Sequence, residues 1–155
     1  MANGQYDRVI ELENQYLELH PDDGFAYIDD GLINAYHFAG RYREEIEAMQ
    51  RAWTLFGFKE IGEGVGRAYA TSGYARALKY SAKQMELLYA ERKVNKSEWI
   101  ASWYARAGDK EQALKWIGIF LADNKYCWEG LDDHDFASIH SDPRFQDLVK
   151  RSALR

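Results

Sequence analysis

Apolar positions along the chain recur three and four residues apart, which is the spacing of α-helices. Near the N-terminus, one such stripe consists of Tyr6, Val9, Ile10, Glu13, Tyr16 and Leu17. A second stripe, Phe145, Leu148 and Val149, follows Asp142 and Pro143, a pair typical of a helix start. Only two prolines occur, and helix-forming residues dominate the middle of the chain, so the pattern predicts an all-α protein.

A tyrosine and a glycine recur together along the chain. They bound the segments Tyr36–Gly40, Tyr69–Gly73 and Tyr104–Gly108, whose glycines are 33 and 35 residues apart. Glycine closes helices because it adopts the left-handed backbone conformation, so we expect a helix to end at each of these glycines. A spacing of about 34 residues is typical of helix-turn-helix repeats, which bury their apolar faces by stacking on neighbouring repeats.

The recurring positions resemble the tetratricopeptide repeat. They are Leu32, Tyr36, Gly40, Tyr42 and Ala52; Val65, Gly66, Tyr69, Gly73 and Ala77; Ile100, Ala101, Tyr104, Gly108 and Ala113; and, in a leading half, Tyr6 and Pro21. The resemblance implies antiparallel helix-turn-helix repeats stacked as a right-handed α-solenoid, with about seven repeat helices and a short C-terminal capping helix. It divides a single domain, 1–155, into a half repeat (1–23), repeats (24–57, 58–93 and 94–124) and a cap (125–155).

In the division that the repeat pattern implies, the leading half repeat (1–23) lacks a partner helix. We therefore expect the stripe on residues 6–17 to be left partly open, and either a fitted half-unit or a homodimer through it. The tail "SDPRFQDLVKR" is similar to the end of tetratricopeptide arrays in bacterial signalling proteins. That likeness implies part of a bacterial regulatory system. Because the chain begins inside a repeat, we expect a fragment or truncated relative of a longer protein.

Local signals predict where helices begin and touch. Asn95 with Glu98, and Asp109 with Gln112, have the spacing of reciprocal helix caps. Gly66, which occupies the small position of the pattern, would let two helices approach closely.

The segment "EIGEGVGRAYATSG", residues 60–73, is rich in glycine, as phosphate-binding loops are. However, it follows no predicted strand and has no Gly-Lys-Ser/Thr sequence, so neither nucleotide-binding template fits. Gly66 and Gly73 are explained by the repeat, whereas Gly62 and Gly64 are not. Because glycine weakens a helix, we expect this helix to start late or to be the most mobile.

Composition excludes several classes of partner. The formal net charge is −5, so no basic field attracts nucleic acid or an anionic membrane. The one cysteine, Cys127, cannot form an intramolecular disulfide, and the charged N-terminal segment has no apolar core typical of a secretory signal. We therefore expect a cytoplasmic protein that binds neither nucleic acid nor membrane.

No motif indicates catalysis. The acidic run at 132–135, "DDHD", cannot turn four consecutive side chains onto one metal ion, and we interpret it as a solvated turn that caps the next helix. The histidines His20, His37, His134 and His140 are scattered, and no nucleophile–base pair follows from their spacing. We expect no catalytic residue, no metal and no cofactor.

The resemblance places partner binding on the concave surface lined by the first helix of each repeat. The residues that it selects are Tyr27, Asp30, Asn34, His37, Phe38, Glu63, Arg67, Ser102 and Arg106. The expected function is a noncatalytic scaffold that binds a protein or peptide there. Two alternatives are a self-assembling structural unit and an enzyme that uses His37, Glu63 and Arg67; Trp99 and Trp103 are expected in the core.

Overall fold

The computed structural model describes residues 4–28, 31–123 and 134–153, which contain eight α-helices and no strand. The helices are α1 (Gly4–Leu19), α2 (Leu32–Phe38), α3 (Tyr42–Leu55), α4 (Lys59–Ser72), α5 (Tyr74–Ala90), α6 (Ser97–Arg106), α7 (Lys110–Asp123) and α8 (Pro143–Ala153). Two 3-10 turns, Gly24–Tyr27 and His134–Ile139, accompany them. The all-α prediction is confirmed for the described residues.

The chain is organised in two compact units, Met1–Ala77 and Leu78–Arg155. In the first unit, α2 packs on both α1 and α3, and α4 packs on α3. In the second unit, α7 packs on both α6 and α8, and the turn at 134–139 packs on α6.

The stripe on α1 is only partly open. Ile10 is 5% exposed and Leu17 is 9% exposed, because α1 packs this side on α2. Tyr16 of the same stripe is 42% exposed, so part of the stripe is left open, as the sequence predicts.

Tyr27 does not share a helix with Asn34 and His37, contrary to the sequence-based prediction. It ends the 3-10 turn Gly24–Tyr27, and the next helix starts only after Gly31. At Gly31 the chain folds tightly back on itself: a Cβ there would lie 2.3 Å from the carbonyl oxygen of Ala26. This close approach interrupts the helix that periodicity alone would continue.

Glycine marks helix ends as predicted. Gly40, Gly73 and Gly108 have φ angles of +73°, +84° and +76°, and each follows a helix. One predicted helix start is wrong, because α6 begins at Ser97 and its cap position holds a lysine that makes no side-chain cap. Asn95 therefore lies outside the helix it was expected to cap.

Two other predicted helix starts have a side-chain cap. An Asp109 carboxylate oxygen accepts a hydrogen bond from the backbone N–H of Gln112 at 3.2 Å. Asp142 accepts from the backbone N–H of Arg144 at 2.9 Å, directly before Pro143 opens α8. These side chains satisfy amide donors that the first helical turn leaves unused.

Two glycines of α4, Gly62 and Gly66, lie at its contact with α3. Helix α4 starts at Lys59, so it includes Gly62 and Gly64, and both are buried. The predicted late start is wrong. A Cβ on Gly62 would lie 2.7 Å from the backbone oxygen of Gln50, and one on Gly66 would lie 2.3 Å from the Gln50 side-chain amide nitrogen.

The second unit has a half-buried carboxylate, Glu86, that accepts three hydrogen bonds. Glu86 Oε1 accepts from the Tyr104 hydroxyl at 2.9 Å and from the Trp116 indole at 2.8 Å, and Lys83 donates to Oε2 at 2.7 Å. Burial alone raises the pKa of Glu86, but the three donors outweigh it and lower the pKa below its ordinary value. Burial, with the bond to Glu86, raises the pKa of Tyr104.

Of the helices that the structure describes, none has both the length and the apolar character needed to cross a bilayer.

Candidate functional site

A histidine, a glutamate and a tyrosine from three helices meet in the first unit. Glu45 of α3 has a fully buried side chain, and its Oε2 accepts a hydrogen bond from the Tyr74 hydroxyl at 2.8 Å. His37, near the end of α2, places Nδ1 2.9 Å from the Tyr74 hydroxyl and 3.2 Å from Glu45 Oε2. Three polar groups that are distant in sequence therefore form one connected group.

The contact with Glu45 favours one neutral tautomer of His37. An ionised carboxylate only accepts hydrogen bonds, so a neutral ring beside Glu45 carries its proton on Nδ1. Nε2 is then an acceptor, and it has no hydrogen-bond partner in the described part of the chain. The His37 side chain is 18% exposed, so this nitrogen can accept a hydrogen bond from a bound molecule.

Aromatic rings surround this polar group and reach the surface. We name Tyr6, His37, Phe38, Tyr42 and Tyr74 the aromatic cluster. Its ring centroids are 5.3 Å apart for Tyr6–Phe38, 5.1 Å for His37–Phe38, 5.8 Å for His37–Tyr42 and 4.7 Å for Tyr42–Tyr74. Tyr42 is 46% exposed and the other rings are half-buried. The cluster thus offers apolar ring surface together with polar tips.

The remaining predicted residues of the first unit lie in different settings. Tyr27 and Asn34 are half-buried, and Asp30 lies outside the described residues. Glu63 and Arg67 are exposed on α4, with Arg67 Nη1 3.9 Å from Glu63 Oε2. They form an ion pair one helical turn apart on the surface.

The contacts of His37 differ from those expected for an enzyme that uses His37, Glu63 and Arg67. Its nearest polar partners are Glu45 and Tyr74, whereas Glu63 lies 3.8 Å from Lys59 along its own helix. The expected grouping with Glu63 and Arg67 is therefore replaced by a buried carboxylate and a phenol.

The predicted residues of the second unit are buried and already bound. The Arg106 side chain is 1% exposed, and its Nε and Nη2 lie 2.9 and 3.0 Å from the two carboxylate oxygens of Asp135. Ser102, which is 8% exposed, donates to Asp135 at 2.5 Å. Instead of facing a partner, both side chains hold the turn at 134–139 against α6. The expectation that Asp135 is solvated is wrong, because its side chain is 7% exposed.

Among the described residues, no group of three or more histidine, cysteine, aspartate and glutamate side chains is arranged to hold a metal ion. Asp132, Asp133 and Cys127 lie outside the described residues. Trp103 is 6% exposed, which confirms its predicted place in the core, and its ring centroid is 6.3 Å from that of the half-buried Trp99.

Sequence reasoning missed Glu45, although a signal was present. Glu45 lies on the same helical face as Met49 and Ala52, both of which are buried, so it is a carboxylate on an apolar stripe. Such a residue is expected to have a hydrogen-bonding partner, because an unpaired buried charge is strongly unfavourable. Nothing in the spacing identifies that partner as Tyr74 or His37.

Comparison with protein-family models matched none, and comparisons with curated proteins and with solved structures found no relative.

Proposed function

We propose that the chain is a noncatalytic interaction domain that binds a protein or peptide partner through the aromatic cluster. The single observation behind the proposal is the set of contiguous rings that begins at exposed Tyr42 and ends on the buried Glu45–Tyr74–His37 group. Tyrosine and other aromatic residues are enriched in the centres of protein interfaces, where they supply contact area and a hydrogen-bonding tip. The tetratricopeptide-like sequence pattern supports the same class of function.

Preorganisation strengthens this proposal. Two hydrogen bonds hold the Tyr74 and His37 side chains to Glu45, and ring contacts fix Tyr42 against Tyr74. A surface whose side chains are already ordered loses less conformational entropy on binding. The matching partner segment carries an apolar or aromatic side chain for the rings and a hydrogen-bond donor for Nε2 of His37.

Site-specific photo-crosslinking in cells tests the proposal. A photoreactive amino acid at position 42 is compared with one at position 25, since Phe25 is an exposed aromatic residue that contacts Phe56 instead of the cluster. A protein that is crosslinked from position 42 but not from position 25 is then purified. Calorimetry measures its affinity for the wild-type chain and for single variants.

We expect Tyr42→Ala to weaken that partner's binding by about 10- to 30-fold, as for residues at the centre of an interface, and Phe25→Ala to have little effect. Both positions are exposed, so both variants should retain the wild-type circular dichroism. Equal losses for the two variants, or crosslinking that does not depend on position, would refute the aromatic cluster as the binding surface.

A further inference from the structure

The inner nitrogen of His37, Nδ1, is held from the protein side by two groups. Nδ1 lies 3.2 Å from Oε2 of Glu45 on α3 and 2.9 Å from the hydroxyl of Tyr74, the first residue of α5. The Glu45 side chain is fully buried. A proton on Nδ1 that is donated to this carboxylate is present in both the neutral and the protonated ring. A positive charge on His37 is paired with Glu45, so the ring can gain a proton and stay in place.

The other neighbours of His37 bring rings instead of charges. Within the described part of the chain, its remaining contacts are with the rings of Phe38 and Tyr42, whose centroids are 5.1 and 5.8 Å away. Helix α1 reaches the cluster through Tyr6, which contacts Phe38. Arg41, directly before α3, is ion-paired with a glutamate of that helix. A change of charge at His37 is therefore felt on the outer side of the ring, at Nε2.

Nε2 of His37 changes its hydrogen-bonding role when the ring gains a proton. Histidine is the side chain that changes charge in the mildly acidic to neutral range. With Nδ1–H donated to Glu45, Nε2 accepts a hydrogen bond in the neutral ring and donates one in the protonated ring. Because Nε2 has no partner in the described residues and the side chain is 18% exposed, a bound molecule meets this change directly.

We propose that protonation of His37 makes binding at the aromatic cluster depend on pH. The neutral ring selects a partner group that donates a hydrogen bond, such as an indole or a backbone N–H. Mild acid places a second donor against that group and releases it, while a carboxylate on a partner becomes favoured. This inference rests on the proposed function, since it concerns the same surface, and it adds the chemistry and the regulation of the partner.

Two small aromatic probes separate the two roles of Nε2. N-acetyltryptophanamide brings an indole N–H, which only donates, and benzoate brings a carboxylate, which only accepts. Each probe is titrated into the full chain at about pH 8 and about pH 5.5, on either side of the range in which histidine changes charge. NMR shifts of Tyr42 and its neighbours give the affinities, and nitrogen NMR of the His37 ring shows which ring nitrogens carry a proton.

We expect N-acetyltryptophanamide to bind at least about fivefold more tightly at the higher pH, because acid removes one hydrogen bond and opposes two donors. Benzoate should show the opposite preference. His37→Gln should abolish both pH dependences, since its amide does not titrate. His20→Gln is the matched control: His20 is an exposed histidine of the same unit, and its loss should leave both pH dependences in place.

Equal affinity of each probe at the two pH values would overturn the inference. So would a pH dependence that persists in His37→Gln, an Nε2 whose protonation is the same at both pH values, or no binding of either probe. These outcomes are distinct from failure of the proposed function, which crosslinking from position 42 tests on its own. The wild-type comparison of the two probes needs no variant, so it decides the outcome whether or not His37→Gln folds.

Discussion

Gly62 and Gly66 face the same residue of α3 but meet different parts of it. At Gly62 a Cβ would come within 2.7 Å of the Gln50 backbone oxygen, which is fixed in the helix. At Gly66 the closest atoms would belong to the end of the Gln50 side chain, which can rotate away. Only the first glycine is therefore required by the packing of α3 on α4.

Alanine substitution should separate the two glycines. Gly62→Ala is expected to lower the free energy of unfolding by about 1–3 kcal/mol, because overpacking against backbone exceeds the gain in helix propensity. Gly66→Ala should leave the free energy within about 1 kcal/mol of wild type, with any change on the stabilising side. Urea unfolding followed by circular dichroism measures both, and similar losses for the two variants would contradict this account.

At the scale of elements, a buried ion pair holds the 3-10 turn at 134–139 to α6. Arg106 contacts both oxygens of Asp135, while Phe136 and Ile139 of the same turn are 3% and 1% exposed. The apolar contacts supply the driving force for docking the turn, whereas the bidentate contact specifies its register. If either charged partner is removed, the bidentate contact is lost and the side chain that remains is still buried.

Asp135→Ala should therefore lower the free energy of unfolding by about 3–5 kcal/mol, because the buried Arg106 guanidinium loses its bidentate contact with this carboxylate. Asp147→Ala is the matched control: Asp147 pairs with Arg151 on α8, but both side chains are more than half exposed. The substitution Asp147→Ala is expected to lower the free energy of unfolding by at most about 1 kcal/mol. In a double-mutant cycle, Arg106→Ala/Asp135→Ala should cost less than the sum of the single variants, and additive costs would argue against coupling.

At the scale of the whole molecule, local patterns predicted the elements better than the contacts between them. Turn glycines and the caps at Asp109 and Asp142 depend on neighbouring residues, and the structure confirms them. The sequence predicts His37 and Phe38 as binding residues but not the buried partner Glu45, because the contact between His37 and Glu45 depends on how α2 packs on α3. The same limit explains Arg106, which was expected at a binding surface although it holds a distant turn.

The solenoid arrangement predicted from the repeat pattern also depends on contacts between distant parts of the chain. Helix content follows from composition and periodicity, and it is confirmed for the described residues. The order of stacking requires knowledge of which faces meet, and equal spacing of Tyr-Gly pairs does not provide it. The short α2 illustrates the difference, since the close approach at Gly31 overrides the local periodicity.

Acid should destabilise the molecule, because folding lowers the pKa of some of its carboxylates. The Arg144 side chain and backbone hold the pKa of Asp142 at about 2, and the donors around Glu86 lower its pKa from 4.5. A group whose pKa is lower in the folded state adds stability above its unfolded pKa and loses it as the pH falls through the folded value. The free energy of unfolding should therefore decline from about pH 4.5 towards pH 2.

Glu86→Gln tests how much of this decline in stability is due to the half-buried carboxylate of Glu86. At neutral pH the variant should be less stable, because a neutral amide oxygen accepts weaker hydrogen bonds from Tyr104 and Trp116, and the amide nitrogen in place of Oε2 cannot accept one from Lys83. Its stability should also fall less steeply below pH 4.5, since one titrating group is gone. Urea unfolding at a series of pH values measures this slope, with Glu47→Gln on the exposed face of α3 as the control. An unchanged slope for Glu86→Gln would show that the acid sensitivity originates elsewhere in the molecule.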